Sequence, residues 1–452
     1  MSNVVRTNQL PTGVQLPKQS KWASLISKED WWTVWIGLFV VVFAVVLWAA
    51  GGSLKTFSPS FKTWSNWTAL WATLGDNALK IIDLYVLLLV LFTVAAVVLK
   101  TRVGHFIGGF TALFLLSLII NLFSSWTIAS KYGIEAPLVA LAIGLIVGNV
   151  IQIPVWIDSA LRTELYVKVG IILLGATLPF TLIAKAGPVA FLQASIIAVI
   201  TFLVIFGVAK AFGLDNRFAA TLGTGGSVCG VSASIAIGSS IQTKKEHVSV
   251  TISLVVIYAV VFIFLLTALI KAFGIEPGPA GAWIGTSEFA DAAGITAASS
   301  FGDHALNTFT LVKVVGRDMF IGLWCFILAF ISITFWEKRS EGPKAGAKQI
   351  ITRFPKFVLG FFVASILLTI IISNVSAASQ TVINSDVIAP IKAIRTWAFT
   401  FTFLSIGLTT RFRELTKVGW RPVVAFGAGA IVNVILGYLL SVVIFKSFWS
   451  GL

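Results

Sequence analysis

The sequence predicts an all-α polytopic membrane protein, and three observations carry that prediction. Of 452 residues, 57% are hydrophobic and only 11% are charged, and the mean hydropathy is +0.96, a balance that soluble globular domains do not show. Apolar runs of about 20 residues, the length that crosses roughly 30 Å of hydrocarbon, recur along the chain. Basic residues gather in the short loops between them, where the membrane potential and anionic lipid favour positive charge. That placement accounts for the net charge of +15 without nucleic acid, which is not expected as a partner.

Residues 1–29 are polar and basic (Arg6, Lys18, Lys21, Lys28), with neither an apolar core nor a small-residue cleavage site. They read as a cytosolic basic tail and not as a signal peptide. Expected spans follow near 31–50, 81–100, 104–125, 135–154, 166–184, 187–209, 247–270, 306–335, 355–375, 388–409 and 421–445. Residues 30–130 form an accessory N-terminal transmembrane region. Between its first two spans, Phe57, Phe61, Trp64, Trp67, Trp71 and Leu74 fall on one helical face. This predicts an interfacial amphipathic helix anchored by tryptophan on the outer surface, with a loop folded over the spans as the alternative.

Two further segments, 215–243 and 278–302, are apolar enough to enter a bilayer but too broken to cross it as undisturbed helices. Nine of the residues from Gly223 to Ser234 are Gly, Ser, Thr or Cys. Non-helical backbone at membrane depth survives only where protein buries it or water reaches it. The loop 336–356 carries Lys338, Arg339, Lys344, Lys348, Arg353 and Lys356 and is placed in the cytosol. Lys100, Arg102, Arg162, Lys168, Lys210 and Arg217 fall on that side too, as do Arg411, Arg413, Lys417 and Arg421, which leaves the C-terminus outside. If 215–243 crossed, Lys244 and Lys245 would face outward against the rule, so a re-entrant hairpin is expected. Parity then brings 278–302 in from the opposite side. Eleven spans and two hairpins result, with thirteen spans as the alternative.

An internal repeat sharpens the fold class. GATLPFTLIAKAGPVAF from Gly175 matches GLTTRFRELTKVGWRPVVAF from Gly407, pairing Gly175 with Gly407, Thr177 with Thr409, Phe180 with Phe412, Lys185 with Lys417 and Gly187 with Gly419. The copies run in opposite directions, which predicts an inverted-repeat secondary-transporter fold with a site near the midplane. The first transport repeat is 131–274, with its broken segment 215–243. The second is 275–452, with 278–302. Chance similarity in apolar sequence is the competing reading.

The broken segments hold the candidate chemistry. In GTGGSVCGVSAS, glycines let backbone amides turn toward a ligand, and interrupted helices aim their positive ends at it. Gly225, Gly226, Ser227, Cys229, Gly230, Ser232 and Ser234 are therefore candidate anion-binding positions, with close helix packing as the plainer account. Thr286 and Ser287 occupy the corresponding place in GAWIGTSEFADAAG. Glu288 and Asp291 stand three apart in that segment, and acids at membrane depth point to coupling of H+ or Na+, unless the hairpin is shallow and wet. Lys313 and Arg317, one helical turn apart, can bind an anionic substrate or neutralise those acids; Asp318 offers them a local partner instead. His304 lies at a span edge, where an interface role outweighs a proton relay.

An enzyme is not expected. Cys229 has no nearby His, His105, His247 and His304 lie in different segments, and no HExxH, P-loop or GxSxG element occurs. The only other cysteine, Cys325, also lies in an apolar segment, so no disulfide framework, metal site or resident cofactor is expected.

On VGIILLGATL, GTGGSVCGVSAS, the Lys313 and Arg317 segment, FPKFVLGF near 354–361, IGLTTRFREL and GWRP at 419–422, the chain from about Glu135 to Phe445 resembles the YeiH-type family of bacterial membrane proteins, described as sulfate exporters. The resemblance implies a multi-pass transporter of the bacterial inner membrane with a cytosolic N-terminus, inverted repeats and export of sulfate or a related sulfur oxyanion. Two departures bear on the substrate: the N-terminal spans are additional to the shorter members, and SEFAD stands where those members carry a His. Residues and resemblance together predict a secondary transporter of a small anion, coupled to Na+ or H+, in lipid bilayer and open to homo-oligomer assembly. A cation/proton antiporter using Glu288 and Asp291 is the alternative, and a non-transporting membrane sensor the third reading.

Overall fold

The computed structural model describes residues 28–131, 136–318, 320–336, 356–410 and 419–452. Among them the chain is all-α, with one isolated bridge between Trp64 and Trp126 in place of any strand. Residues 1–27 of the basic tail, the basic loop 337–355, and Phe412 and Lys417 of the second repeat copy lie outside the described residues, as do the side chains of Ser232 and Cys325.

Three accessory helices come first: α1 (Glu29–Ala49), α2 (Trp67–Val98) and α3 (Val103–Ser124). The expected interfacial helix between α1 and α2 does not form. Leu54–Phe57 makes a short 3-10 turn, residues 58–66 are irregular, and Asn66 caps the start of α2 by accepting the amide of Ala69. The Asn77 side chain holds the irregular stretch by bonding both backbone groups of Ser60. Helical spacing of the aromatics was real from Trp67 onward, but Pro59 and the cap at Asn66 divide that face into a loop and the exposed first turn of the span. On α2, Leu79, Ile82, Val86, Val90, Val94 and Val97 remain exposed, a stripe at helical spacing that suits contact with lipid chains.

The helices α4 (Ala136–Val150), α5 (Thr163–Thr177) and α6 (Phe180–Ala211) follow. The expected spans 166–184 and 187–209 are divided differently: α5 stops at Thr177 because Pro179 holds Leu178 extended, with ψ 113°, and itself starts α6. Ion pairs fix the first face of the molecule. Arg162 meets Glu29 at 2.8 Å, Lys168 meets Asp30 at 2.6 Å, and Arg162 also donates to the Thr101 hydroxyl. The starts of α1 and α5 and the α2–α3 turn therefore lie together.

From this face the chain folds back on itself. α7 (Asn216–Ser227), capped by the Asp215 carboxylate, and α8 (Val231–Ser240) are joined at Val228–Gly230, where Gly230 takes φ +64°. Arg217 donates to the Gln242 carbonyl at 3.3 Å, the Thr221 and Thr243 hydroxyls meet at 2.8 Å, and Gly225 abuts the Ser234 hydroxyl. These contacts make an antiparallel hairpin with both open ends on the first face. The 29-residue α9 (Lys245–Phe273) then runs about 43 Å at 1.5 Å per residue to the opposite face.

A second hairpin enters there. α10 (Pro277–Ser287) ends at an extended turn through Glu288 and Ala290, and α11 (Asp291–Ser299) returns. α12 (Gly302–Thr310) lies parallel to α10: Gly278 faces His304, Gly281 sits on the backbone of Ala305, and Gly285 faces Phe309 and Val312. The course continues toward the first face as a π-helical segment, Leu311–Asp318, and α13 (Phe320–Ile331). α14 (Lys356–Ser373), α15 (Ala377–Ile383), α16 (Ala389–Thr409), α17 (Trp420–Tyr438) and the short α18 (Lys446–Ser450) complete the chain.

Among the described residues, eight helices are long and apolar enough to cross a membrane. α4 and α5, 15 residues each, are shorter. Protein surrounds most of α5, so the lipid thickness does not set its length. α4 and α16 meet backbone to backbone, where Gly144 and Gly148 face the carbonyls of Leu404 and Gly407. α6 and α17 meet where Gly429 receives Ile205.

Candidate functional site

The two hairpin tips come together inside the molecule, and the π-helical segment behind them supplies the reason. Carbonyls at the C-terminal ends of α7 and α10 lack intrahelical donors and carry the negative end of each helix dipole. Lys313 Nζ donates to Val228 O at 2.8 Å, Glu288 O at 3.3 Å and Phe289 O at 3.4 Å. Arg317 donates to Ser227 O from Nε at 3.2 Å and Nη2 at 2.9 Å, and from Nη1 to Thr286 O at 2.5 Å, Glu288 O at 3.1 Å and Gly285 O at 3.2 Å. Both cations are fully buried. They act as a clamp that caps two helices from different hairpins at once. Gly230 completes the junction, since a Cβ there would stand 2.6 Å from Phe289 O.

Three carboxyls accompany the clamp. Glu288 Oε1 accepts the Phe289 amide at 2.9 Å, while Oε2 is buried without a hydrogen-bond donor. Asp291 approaches Lys313 at 3.7 Å, beyond hydrogen-bond length. Asp318 is fully buried, and neither of its oxygens has a donor among the described residues.

In front of the tips lies a cavity of about 70 Å³ lined by Cys229 and Val231 of the first hairpin, Ala290 and Asp291 of the second, Thr163 and Glu164 of α5, and Ile406 of α16. Thr163 and Glu164 stand at the first-face end of α5, so the cavity lies toward that face. The amino ends of α8 and α11 point into this region, which gives it the positive poles of two helices.

The structure brings Ser227, Cys229, Gly230, Thr286, Glu288, Asp291, Lys313 and Arg317 to one junction, and separates others from it. Gly226 packs on Ile205 and Phe426, Gly225 on Thr251, and the Ser234 hydroxyl donates to Gly230 O at 2.8 Å, closing the turn. The Thr286 hydroxyl donates back to Trp283 O, and the Ser287 hydroxyl faces Gly437. Those small residues permit close packing. His304 sits at the opposite-face end of α12 beside Gly278, nine residues and roughly 13 Å of helix from Lys313. Thr163 and Glu164 were missed in the sequence. Glu164, an acid one turn before Lys168 in an apolar stretch, was a signal available there.

Charge ties helices together at the opposite face, where a cavity of about 300 Å³ is lined by Leu182, His304, Asn307 and Leu311. Asp303 at the start of α12 meets Lys392 at 2.7 Å and Arg395 at 3.0 Å, and Arg395 donates to Thr177 at 3.0 Å, which ties α12 to α16 and α5. Exposed ion pairs contribute about 0.2–1 kcal/mol each. Asp303→Asn is therefore expected to increase thiol-reagent labelling of Leu311→Cys, a lining position of that cavity, by roughly fivefold; unchanged labelling would show that these pairs do not restrain the face.

Fold and junction define an all-α polytopic membrane protein with two opposed re-entrant hairpins. The model of the family described as conserved hypothetical protein 698 matches residues 108–426, and the chain belongs to that family. A UPF0324 membrane protein of Rhodopirellula baltica is 33% identical over 373 residues, covering 81% of this chain and 68% of the relative. One of Nitrosomonas europaea is 27% identical over 454 residues, covering 88% of this chain and 92% of the relative. A third, of Nitratidesulfovibrio vulgaris, is 32% identical, and the match spans only 60% of its length. The YeiH-type resemblance holds at the level of the family; the relatives' names give membrane location and no substrate. No solved structure matches.

Proposed function

We propose that the chain is a secondary transporter that moves a small anion, of sulfate-like or sulfonate chemistry, by alternating access. The observation that supports this most is the meeting of two hairpins from opposite faces at tips clamped by Lys313 and Arg317. The anion would lie in the cavity, against the amino ends of α8 and α11, while the clamp keeps the two tips in register. Glu288 and Asp291 would serve the coupling ion, Na+ or H+.

The inverted repeat gains support from two matched glycines. Gly175 seats the Phe361 carbonyl of α14, and Gly407 seats the Leu141 carbonyl of α4. In this reading α4, α5 and α6 correspond to α14, α16 and α17, and each set is served by one hairpin. Lys100, Arg102, Arg162, Lys210, Arg217 and Lys244 share the first face, and that gathering of positive charge supports a cytosolic setting for it in a bacterial inner membrane; export is the direction taken in this reading.

A cation/proton antiporter remains the second reading because Glu164 and Asp291 line the same cavity. Proteoliposome flux separates the two. Labelled sulfate, sulfite or a sulfonate should enter, and Thr163→Val should lower that uptake; sodium-driven proton flux lost in Asp291→Asn, with no anion movement, would establish the antiporter. Folded protein that moves neither would return the sensor reading.

A further inference from the structure

The clamp leaves a charge imbalance that its own residues do not resolve. Lys313 and Arg317 face Glu288, Asp291 and Asp318, so the ionised set carries one excess negative charge within a fully or largely buried cluster. Glu288 holds a backbone amide. Among the described residues Asp318 has no donor at either oxygen, a costlier arrangement for a buried carboxylate than for a neutral carboxylic acid.

Burial increases along three acids, and Asp318, the deepest, does not line the cavity. Glu164 at the cavity mouth has a side chain 47% exposed, Asp291 deeper in the same cavity is 17% exposed, and Asp318 is 0% exposed. The charged groups around Asp318 include Asp291 from α11, Lys313 and Arg317 from its own segment, and Glu164 from α5, and Glu164 is itself paired with Lys168 at 3.3 Å. α6 packs against this segment through Ala190 and Ala194 and adds no charge there. The cavity has room for a few water molecules between the outer two carboxyls.

We propose that Glu164, Asp291 and Asp318 form a carboxyl relay that carries a coupling proton from the first-face cavity to a buried position on Asp318. This rests on the transporter reading and adds to it the identity of the coupling ion. A hydronium ion in the cavity gives its proton to Glu164, breaking one O–H bond and leaving water; the proton passes to Asp291 and then to the Asp318 carboxylate, where one O–H bond forms and the outer carboxylates are left as they began. The neutral Asp318 balances the two cations of the clamp. Release reverses the transfer when the cavity opens to the other side.

The test uses the full chain in liposomes, with labelled sulfate as probe and a pH-sensitive dye inside. Wild type should accumulate sulfate in response to a pH gradient, Asp318→Asn should lower that response by about tenfold or more, and Glu164→Gln should slow it without abolishing it. Sulfate exchange in wild type that ignores the pH gradient, or an Asp318→Asn protein that follows it like wild type, overturns the relay and leaves the transporter reading intact. Infrared difference spectra of the purified protein decide independently of flux and of how well the variant reconstitutes. A protonated-carboxyl band that changes with pH in wild type and is missing from Asp318→Asn supports the relay, whereas wild type without such a band, or with one that pH does not change, overturns it.

Discussion

Replacing Arg317 by Met is expected to destabilise the protein by about 3–5 kcal/mol, the range measured when one partner of a buried charged group is removed. The guanidinium is the shared donor for Ser227 O, Gly285 O, Thr286 O and Glu288 O. Its loss strands carbonyls of two helices and leaves Lys313 alone among three acids. The measurement is the thermal unfolding midpoint of detergent-purified protein. Arg317→Lys should fall between wild type and Arg317→Met, because an ammonium keeps the charge but cannot span both hairpins with a planar fork. A midpoint for Arg317→Met equal to that of wild type would show that the clamp contributes nothing to the assembly.

Gly230→Ala should act on function more than on folding. The residue sits at φ +64° and ψ −109°, outside the left-handed helical region and in a conformation that glycine alone adopts readily, and a Cβ there would stand 2.6 Å from Phe289 O and from the side chain of Val255. Overpacking of this kind costs about 1–3 kcal/mol, and the cheapest relief is to move one tip away from the other. Anion uptake should fall at least tenfold, about 1.4 kcal/mol, while the purified protein stays folded. Gly274→Ala is the control for a Cβ at positive φ, since that glycine lies in the left-handed region at φ +61° and ψ +39° with open space around it; it should cost roughly 1–2 kcal/mol and keep uptake near wild type.

How much of this was legible in the sequence depends on which physical signal each part leaves. Hydropathy located the helices because lipid demands apolar length, and Lys244 with Lys245 exposed the first hairpin because charge resists crossing. The junction residues were legible as a set: intramembrane acids, cations and clustered glycines are each costly or rare without a reason. Their division of labour was not. Lys313 and Arg317 donate to backbone carbonyls, and no side chain in the sequence marks a carbonyl left without a donor. Glu164 escaped notice because the acid sits at a helix start, where a solvated reading is ordinary, and only folding brings it to Asp291. The interfacial helix failed for a local reason, the Asn66 cap and the Pro59 turn, which outweighed aromatic spacing.

The distance along the chain between the first tip and its clamp bears on how the protein is made. The carbonyls of Val228 and Ser227 receive their donors from residues 85 and 90 positions later. At about 5–20 residues per second, the first hairpin is synthesised several seconds before the cations that hold it. During that interval α9 and then the second hairpin are inserted, while the first tip keeps unsatisfied carbonyls in or near the bilayer. Biogenesis must therefore shelter that hairpin, in the insertion machinery or among α5 and α6, until Arg317 emerges. Assembly of the junction is in this sense the last step of membrane insertion for the central part of the chain, and a ribosome arrested before residue 317 leaves it incomplete.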